Sequence, residues 1–336
     1  MTGRGEEPGT ALPQSKIQNP KSKIDAVEEP FSLTLIARVV AQIFPTGPAP
    51  AVERVREGGS TYVYRIHHTD QLLYLRVLPE LGRSFAPEQL AHRLLRQDQI
   101  AVPAVVYFAH CQADLGRSVM VTTAIRGAAI GHATSAHEIG AVLRAAGRDL
   151  ARIHRIPVAG FGWICRDRPV VTHLQAEFPT CGAFIRDHFD PYLELLARTA
   201  VLNRSEIAAM REIRAAAAPL LDVAQAYLVH GDFDATHIYA QEGQYTGIID
   251  FGEIRGADLW YDLGHFQLEN SAQLPYLLEG YAEVRPLPPD YAHRMGLYSL
   301  LIAIRRLGRR VEKAPSGGPP EPDLALIRRV LRDQRA

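Results

Sequence analysis

The spacing of apolar positions along this chain changes once. From about residue 50 to 125 they come in short runs rich in β-branched and aromatic residues: TYVYRIH (61–67), LLYLRVL (72–78) and RSVMVTT (117–123). Runs of this kind predict strands. One helix is predicted among them over 87–97, with Pro87 early in it, where a missing N–H is tolerated. From about 136 onward Ile139, Val142, Leu143, Ala146, Leu150 and Ile153 recur at three- and four-residue steps, the signature of one helix face. Further helices are predicted near 182–200, 204–225, 270–284, 290–312 and 323–334, with short strands at 226–230, 237–240 and 245–250. The pattern predicts an α+β chain: a small β-rich N-terminal lobe over 31–125 and a larger helical lobe over 126–312. Residues 1–30 are polar and broken by Pro8, Pro13, Pro20 and Pro30, which predicts a disordered tail. KAPSGGPPEP (313–322) predicts a flexible linker ahead of a terminal helix at 323–336.

Composition narrows the function classes. The 336 residues carry 37 Lys+Arg and 37 Asp+Glu, and this balance argues against a general nucleic-acid binder. It leaves room for local patches such as Arg305, Arg306, Arg309 and Arg310. Three scattered cysteines, Cys111, Cys165 and Cys181, have no metal-site spacing and fit free thiols in a reducing compartment. No apolar signal core and no long apolar run is visible, so a cytoplasmic protein without a membrane span is expected.

The chemistry concentrates in residues 227–266, YLVHGDFDATHIYAQEGQYTGIIDFGEIRGADLWYDLGHF. Asp232 follows the apolar strand YLVH and Asp250 follows YTGII. A hairpin-like turn around Gly243 is expected to bring the two strands together, so that Asp232, Asp250 and His237 converge on one cleft. Phosphoryl transfer uses such a set. One carboxylate orients the attacking hydroxyl and accepts its proton, and other ligands hold a divalent cation.

At these residues the chain resembles the aminoglycoside-phosphotransferase-type kinases. HGDFDATH is similar to that family's catalytic loop HGDxxxxN, IIDFGE to its metal-binding segment, and ADLWYDLGHF to its GDPxYDLA stretch. The resemblance implies a two-lobed protein-kinase-like fold, with Asp232 as catalytic base and Asp250 as a metal ligand. His237 stands where the family usually has a metal-binding Asn. Whether His237 ligates directly, through water, or only hydrogen-bonds is left open. Mg²⁺ is the implied ion, and imidazole also admits Mn²⁺. Asp262 is expected to hold catalytic-loop backbone, and His230 and His154 to be structural.

The resemblance extends, more loosely, into the N-terminal lobe. GGSTYVYRI (58–66) is similar to the family's phosphate-covering loop, which makes Gly58, Gly59 and Ser60 nucleotide-binding candidates. Arg76, in YLRVLPE, takes the place of the phosphate-gripping Lys, with Glu88 on the next helix as its partner. SVMVTTAIRG (118–127) is similar to the strand-to-hinge segment, where backbone near Thr123 to Ile125 would meet the base; Thr123 replaces the family's acidic residue, so ATP and GTP both remain open. In all, the resemblance covers about residues 50–312.

The expected activity is transfer of a phosphoryl group from ATP or GTP to a hydroxyl of a small molecule. Asp234, Glu253, Asp258 and Glu269 lie near the site in sequence, which would suit an aminoglycoside or another cationic acceptor. Two alternatives stand beside it: a nucleotide-binding regulator of the same fold that has lost turnover, and a metal hydrolase built on His230, Asp232, His237 and Asp250.

Overall fold

The computed structural model describes residues 31–47, 50–56, 60–132, 136–313 and 321–333. The expectations for the tail at 1–30, for Gly58 and Gly59, and for linker residues 314–320 lie outside these described residues.

The N-terminal lobe comprises α1 (Leu33–Ile43), β1 (Ala51–Val55), β2 (Tyr62–His68), β3 (Gln71–Val77), α2 (Ala86–Gln97), β4 (Val105–Gln112) and β5 (Arg117–Thr123). Its five strands form one antiparallel sheet in the order β1-β2-β3-β5-β4. Side-chain alternation divides the sheet into two faces. Tyr64, Ile66, Leu73, Leu75, Val77, Val119 and Val121 pack against Ile36, Val39 and Val40 of α1. The intervening residues Val63, Arg65, Tyr74, Arg76 and Thr122 line a large cleft. One register therefore seals the lobe and aims Arg76 at the cleft. Helix α1 begins where the Ser32 hydroxyl accepts the Leu35 amide at 3.2 Å.

The second lobe contains β6 (Ala128–Ala129), α3 (Ala136–Ile153), β7 (Pro157–Val158), β8 (Phe161–Ile164), β9 (Ala176–Phe178), α4 (Cys181–His188), α5 (Asp190–Arg198), α6 (Arg204–Ala216) and α7 (Ala218–Leu221). It continues with β10 (Ala226–Val229), β11 (Ile238–Gln241), β12 (Gln244–Ile248), β13 (Arg255–Ala257), α8 (Trp260–Asn270), α9 (Leu274–Val284), α10 (Tyr291–Lys313) and α11 (Glu321–Asp333). None of the helices described is long and apolar enough to cross a membrane.

Several boundaries differ from the sequence expectation for identifiable reasons. The helix expected over 182–200 is two, α4 and α5, meeting at Phe189 because Pro191 opens a new first turn. Pro219 likewise starts α7 after α6 ends. Helix α8 was not expected as a separate helix: Trp260 to Phe266 are all buried, so no polar face marks a helical period.

The hairpin expectation also needs correction. The turn at Glu242 and Gly243, both at positive φ (50° and 73°), joins β11 to β12. The strand before Asp232, β10, lies in another sheet, of order β7-β10-β13-β8-β9. Asp232 and Asp250 therefore meet through loops: the His230 ring Nε2 bonds the Ile249 carbonyl at 2.8 Å, and the Ile249 amide donates to the His237 carbonyl at 3.0 Å.

Helices α3 and α9 approach closely through two glycines. A Cβ on Gly147 would run into the Leu277 carbonyl and the Tyr281 amide, and one on Gly280 into the Arg144 carbonyl. Gly147→Ala is expected to destabilise the fold by ~1–3 kcal/mol, the usual cost of overpacking. Urea denaturation of parent and variant measures it, and an unchanged midpoint would refute the close-packing account.

Candidate active site

The segment around Asp232 hangs from one buried carboxylate. Asp262, in the first turn of α8, is fully buried. Its oxygens accept the amides of His230 at 2.7 Å and Gly231 at 2.8 Å, and the His154 ring Nε2 lies 3.1 Å away. The other nitrogen of His154 bonds the Tyr281 hydroxyl at 2.9 Å. Helices α3, α8 and α9 thus fix the turn after β10. Burial pushes the Asp262 carboxyl pKa up, but His154, His230 and the Gly231 amide together hold it below the usual carboxylate value. Gly231 adopts φ 84°, and any Cβ there would strike the Glu253 carbonyl.

Asp232 emerges from this turn half-buried. The His265 Nε2 lies 3.2 Å from its Oδ1, while His265 Nδ1 faces the Phe233 carbonyl at 3.1 Å. The His237 Nδ1 bonds the Asp232 carbonyl at 2.7 Å, which makes it the donor nitrogen. Its Nε2 then carries the lone pair, and it lies 3.8 Å from Asp250 Oδ2. Asp250 sits in the left-handed region at φ 63° and ψ 64°, with its carboxylate half exposed to the cleft. Desolvation pushes its pKa up, yet the Arg76 guanidinium, His237 and His230 outweigh this and hold it low.

Across the cleft, Arg76 pairs with Glu88 of α2, whose side chain is fully buried. Arg166 was not anticipated from sequence: it donates to Glu88 Oε2 at 3.4 Å and to the Gly252 carbonyl at 2.8 Å. It thereby ties the N-terminal lobe to the Asp250 segment. A Cβ on Gly252 would stand 2.9 Å from Arg76 Nη2, 3.0 Å from Asp250 Oδ1 and 3.9 Å from Ser60 Oγ. Arginine, carboxylate and hydroxyl therefore converge at one point.

These groups line a cleft of about 900 Å³ that includes Ser60, Thr61, Arg76, Thr123, Ile125, Asp232, His237 and Asp250. The structure so brings together the described residues singled out from sequence, with Glu88 buried behind Arg76. A second pocket of about 330 Å³ adjoins the cleft, sharing Asp232, Glu253, Arg306 and Arg309 with it and lined also by Asp234, Arg255, His265, Glu269 and Arg305. Sequence reasoning missed His265 and Arg166. His265 lay inside the quoted motif strip, three residues after Asp262, whereas Arg166 had no local signal.

A five-stranded sheet lobe over a helical lobe, with the carboxylates at their junction, is the two-lobed protein-kinase-like α+β class. The chain belongs to the phosphotransferase enzyme family (APH), whose model matches residues 51–296, and is thus a kinase-type enzyme. No curated protein matches it in sequence. Among solved structures it is similar to a thermostable mutant of aminoglycoside phosphotransferase APH(4)-Ia, with 15% identity and a TM-score of 0.65 over 89% of this chain and 99% of that one. It is also similar to a proposed fructosamine-3-kinase from Thermobifida fusca YX-ER1, with 19% identity and a TM-score of 0.62 over 91% of this chain and 100% of that one. A proposed aminoglycoside phosphotransferase from Ralstonia eutropha JMP134 shows 13% identity and a TM-score of 0.62 over 90% of this chain and 95% of that one.

Because the Asp262 pKa is lowered on folding, its stabilisation is complete above the unfolded value of about 3.9 and is lost as pH falls through the folded value. Asp262→Ala, which strands the buried His154 and two amides, is expected to cost ~3–5 kcal/mol near neutral pH. It should also flatten the acid side of the stability profile. Urea titrations at a series of pH values test this, and a variant with the parent's stability and acid limb would contradict the anchoring role.

Proposed function

We propose that the protein transfers the γ-phosphoryl group of ATP or GTP to a hydroxyl of a small molecule, with Asp232 as the base. The observation that carries this reading is the opposition, across one cleft, of the Arg76–Glu88 pair and the Asp232, His237 and Asp250 group. A similar structure, a ternary complex of APH(4)-Ia with ADP and hygromycin B, supports a nucleotide and an acceptor bound together on this fold.

In this reading Arg76 grips the phosphates and Glu88, clamped by Arg76 and Arg166, fixes its fork. The Ser60 hydroxyl covers the phosphates. The amides of Thr123 and Ala124 already donate to Ala104 and Leu72, so the Ile125 amide is the donor assigned to the base. Asp232 receives the acceptor's proton. His265 and the backbone bonds of its loop hold the carboxylate in place.

The residues present fit a divalent cation. His237 turns a lone pair toward Asp250, and the low pKa of Asp250 keeps its carboxylate charged. When bound, the cation supplies charge that neutralises phosphate oxygens. Mg²⁺ suits the carboxylate and phosphates, and the imidazole makes Mn²⁺ an acceptable substitute. This geometry also weighs against the inactive-regulator alternative, because the His at the family's Asn position keeps a lone pair aimed at the site.

A cationic acceptor, such as an aminoglycoside, was the expectation from four carboxylates. Three of them, Asp234, Glu253 and Glu269, line the pocket beside Asp232. Asp258 does not: it is buried against Tyr298, and burial pushes its pKa up to about 6.

Asp232→Asn is expected to keep nucleotide affinity and to lower kcat by ~10²–10⁴-fold, the usual worth of a general base. Steady-state transfer assays together with nucleotide titration check it, and near-parent kcat would remove Asp232 from the mechanism. Arg76→Ala should raise the nucleotide KM or lower kcat, and unchanged values for both would reject the assignment of the phosphate side. Asp250→Asn should abolish turnover with Mg²⁺ and with Mn²⁺, whereas His237→Asn should retain Mg²⁺-dependent turnover. The reverse order of severity would exchange their roles.

A further inference from the structure

The pocket beside Asp232 has two unlike walls. Each carboxylate on it is already answered. Glu253 is paired with Arg255 at 2.9 Å, and Glu269 with Arg306. Asp234 accepts the Thr236 amide and hydroxyl, and Asp232 meets His265. The facing wall carries Arg255, Arg305, Arg306 and Arg309.

Two of these guanidiniums have their forks filled. Arg255 donates to Glu253 and to the Gly231 carbonyl, and Arg306 reaches Glu269 and Asp323. Arg305 differs. Among the described residues it makes no hydrogen bond and no ion pair; its neighbour is the Trp163 ring, 5.7 Å from its guanidinium carbon. Arg255 stacks on the same ring at 3.8 Å, so two cations share one aromatic. Burial first, and the Arg255 and Arg309 charges after it, push the Arg305 pKa down to about 10. The group is still a cation at neutral pH, but one held in an unfavourable field that an incoming anion would relieve. Its planar fork suits a carboxylate or a phosphate.

We propose that the acceptor is an alcohol bearing an oxyanion, a carboxylate or a phosphate ester, which Arg305 binds while Asp232 receives the hydroxyl. The inference rests on the kinase reading above and replaces the cationic acceptor with an anionic one. Of the carboxylates that favoured an amine in sequence, Glu253 and Glu269 are paired with arginines, Asp234 is engaged by Thr236 and Asp258 is buried against Tyr298; among the described residues the guanidinium left without a hydrogen bond or ion pair on this wall is that of Arg305.

The test uses the full chain saturated with AMP-PNP and Mg²⁺, so that added anions do not occupy the nucleotide site. Four six-carbon sugar compounds differing in charge are titrated: glucose, glucosamine, gluconate and glucose 6-phosphate. Binding is followed by calorimetry and by tryptophan emission, since Trp163 is one of only two tryptophans. Gluconate, glucose 6-phosphate or both are expected to bind at least tenfold more tightly than glucose and glucosamine. Comparing the two anions separates carboxylate from phosphate. R305Q should lose that preference and R305K should keep part of it, with AMP-PNP affinity as the folding control. Glucosamine binding best, neither anion binding, or an undiminished preference in R305Q would each overturn the proposal. Should R305Q not fold, the ranking in the parent and the R305K series still decide. Anion binding without transfer from ATP would count against the kinase reading alone, whereas transfer to glucosamine and not to the anions would count against the oxyanion alone.

Discussion

The Asp262 carboxylate is the constraint on which the rest of the site depends. It is a charge placed in the core, which would be costly without compensation. It is compensated by two backbone amides and an imidazole, drawn from the turn after β10 and the end of α3. Those same bonds leave the next residue, Asp232, no choice of position. His230 extends the anchoring to the Ile249 carbonyl, and so to the residue before Asp250. One buried charge therefore sets the spacing of the Asp232 and Asp250 carboxylates, although they follow strands in separate sheets.

A second buried carboxylate, Glu88, plays the matching part on the Arg76 side of the cleft. It holds two arginines, Arg76 from the sheet and Arg166 from the helical lobe, and Arg166 also binds the Gly252 carbonyl beside Asp250. The lobes are thus joined through the site itself. Charge in this protein is arranged in matched sets at the cleft, and the departure from matching, at Arg305, falls where an acceptor would sit.

Much of this was legible in the chain. The three central strands of the N-terminal sheet, β2, β3 and β5, were marked by alternating β-branched and aromatic residues, because one face packs on α1 and the other faces the cleft; the outer strands β1 and β4 and helix α1 itself were not anticipated. Asp232, His237, Asp250 and the Arg76–Glu88 pair were marked by short local motifs. What escaped has physical reasons. Helix α8 is buried through most of its length, so it shows no polar period. Arg166 reaches Glu88 from 78 residues away, and no local spacing announces such a pair. The acidic residues near the site pointed to a cationic acceptor because the sequence does not reveal that Arg255 and Arg306 fold back onto Glu253 and Glu269.

The central claim is that this cleft moves a phosphoryl group from nucleotide to an alcohol. The most direct measurement is ³¹P NMR of the protein with ATP or GTP, Mg²⁺ and a panel of hydroxyl compounds of differing charge. The account predicts that, with at least one acceptor, a new phosphomonoester resonance grows in step with nucleoside diphosphate. Nucleotide that stays intact with every acceptor, or that yields only inorganic phosphate, would contradict it.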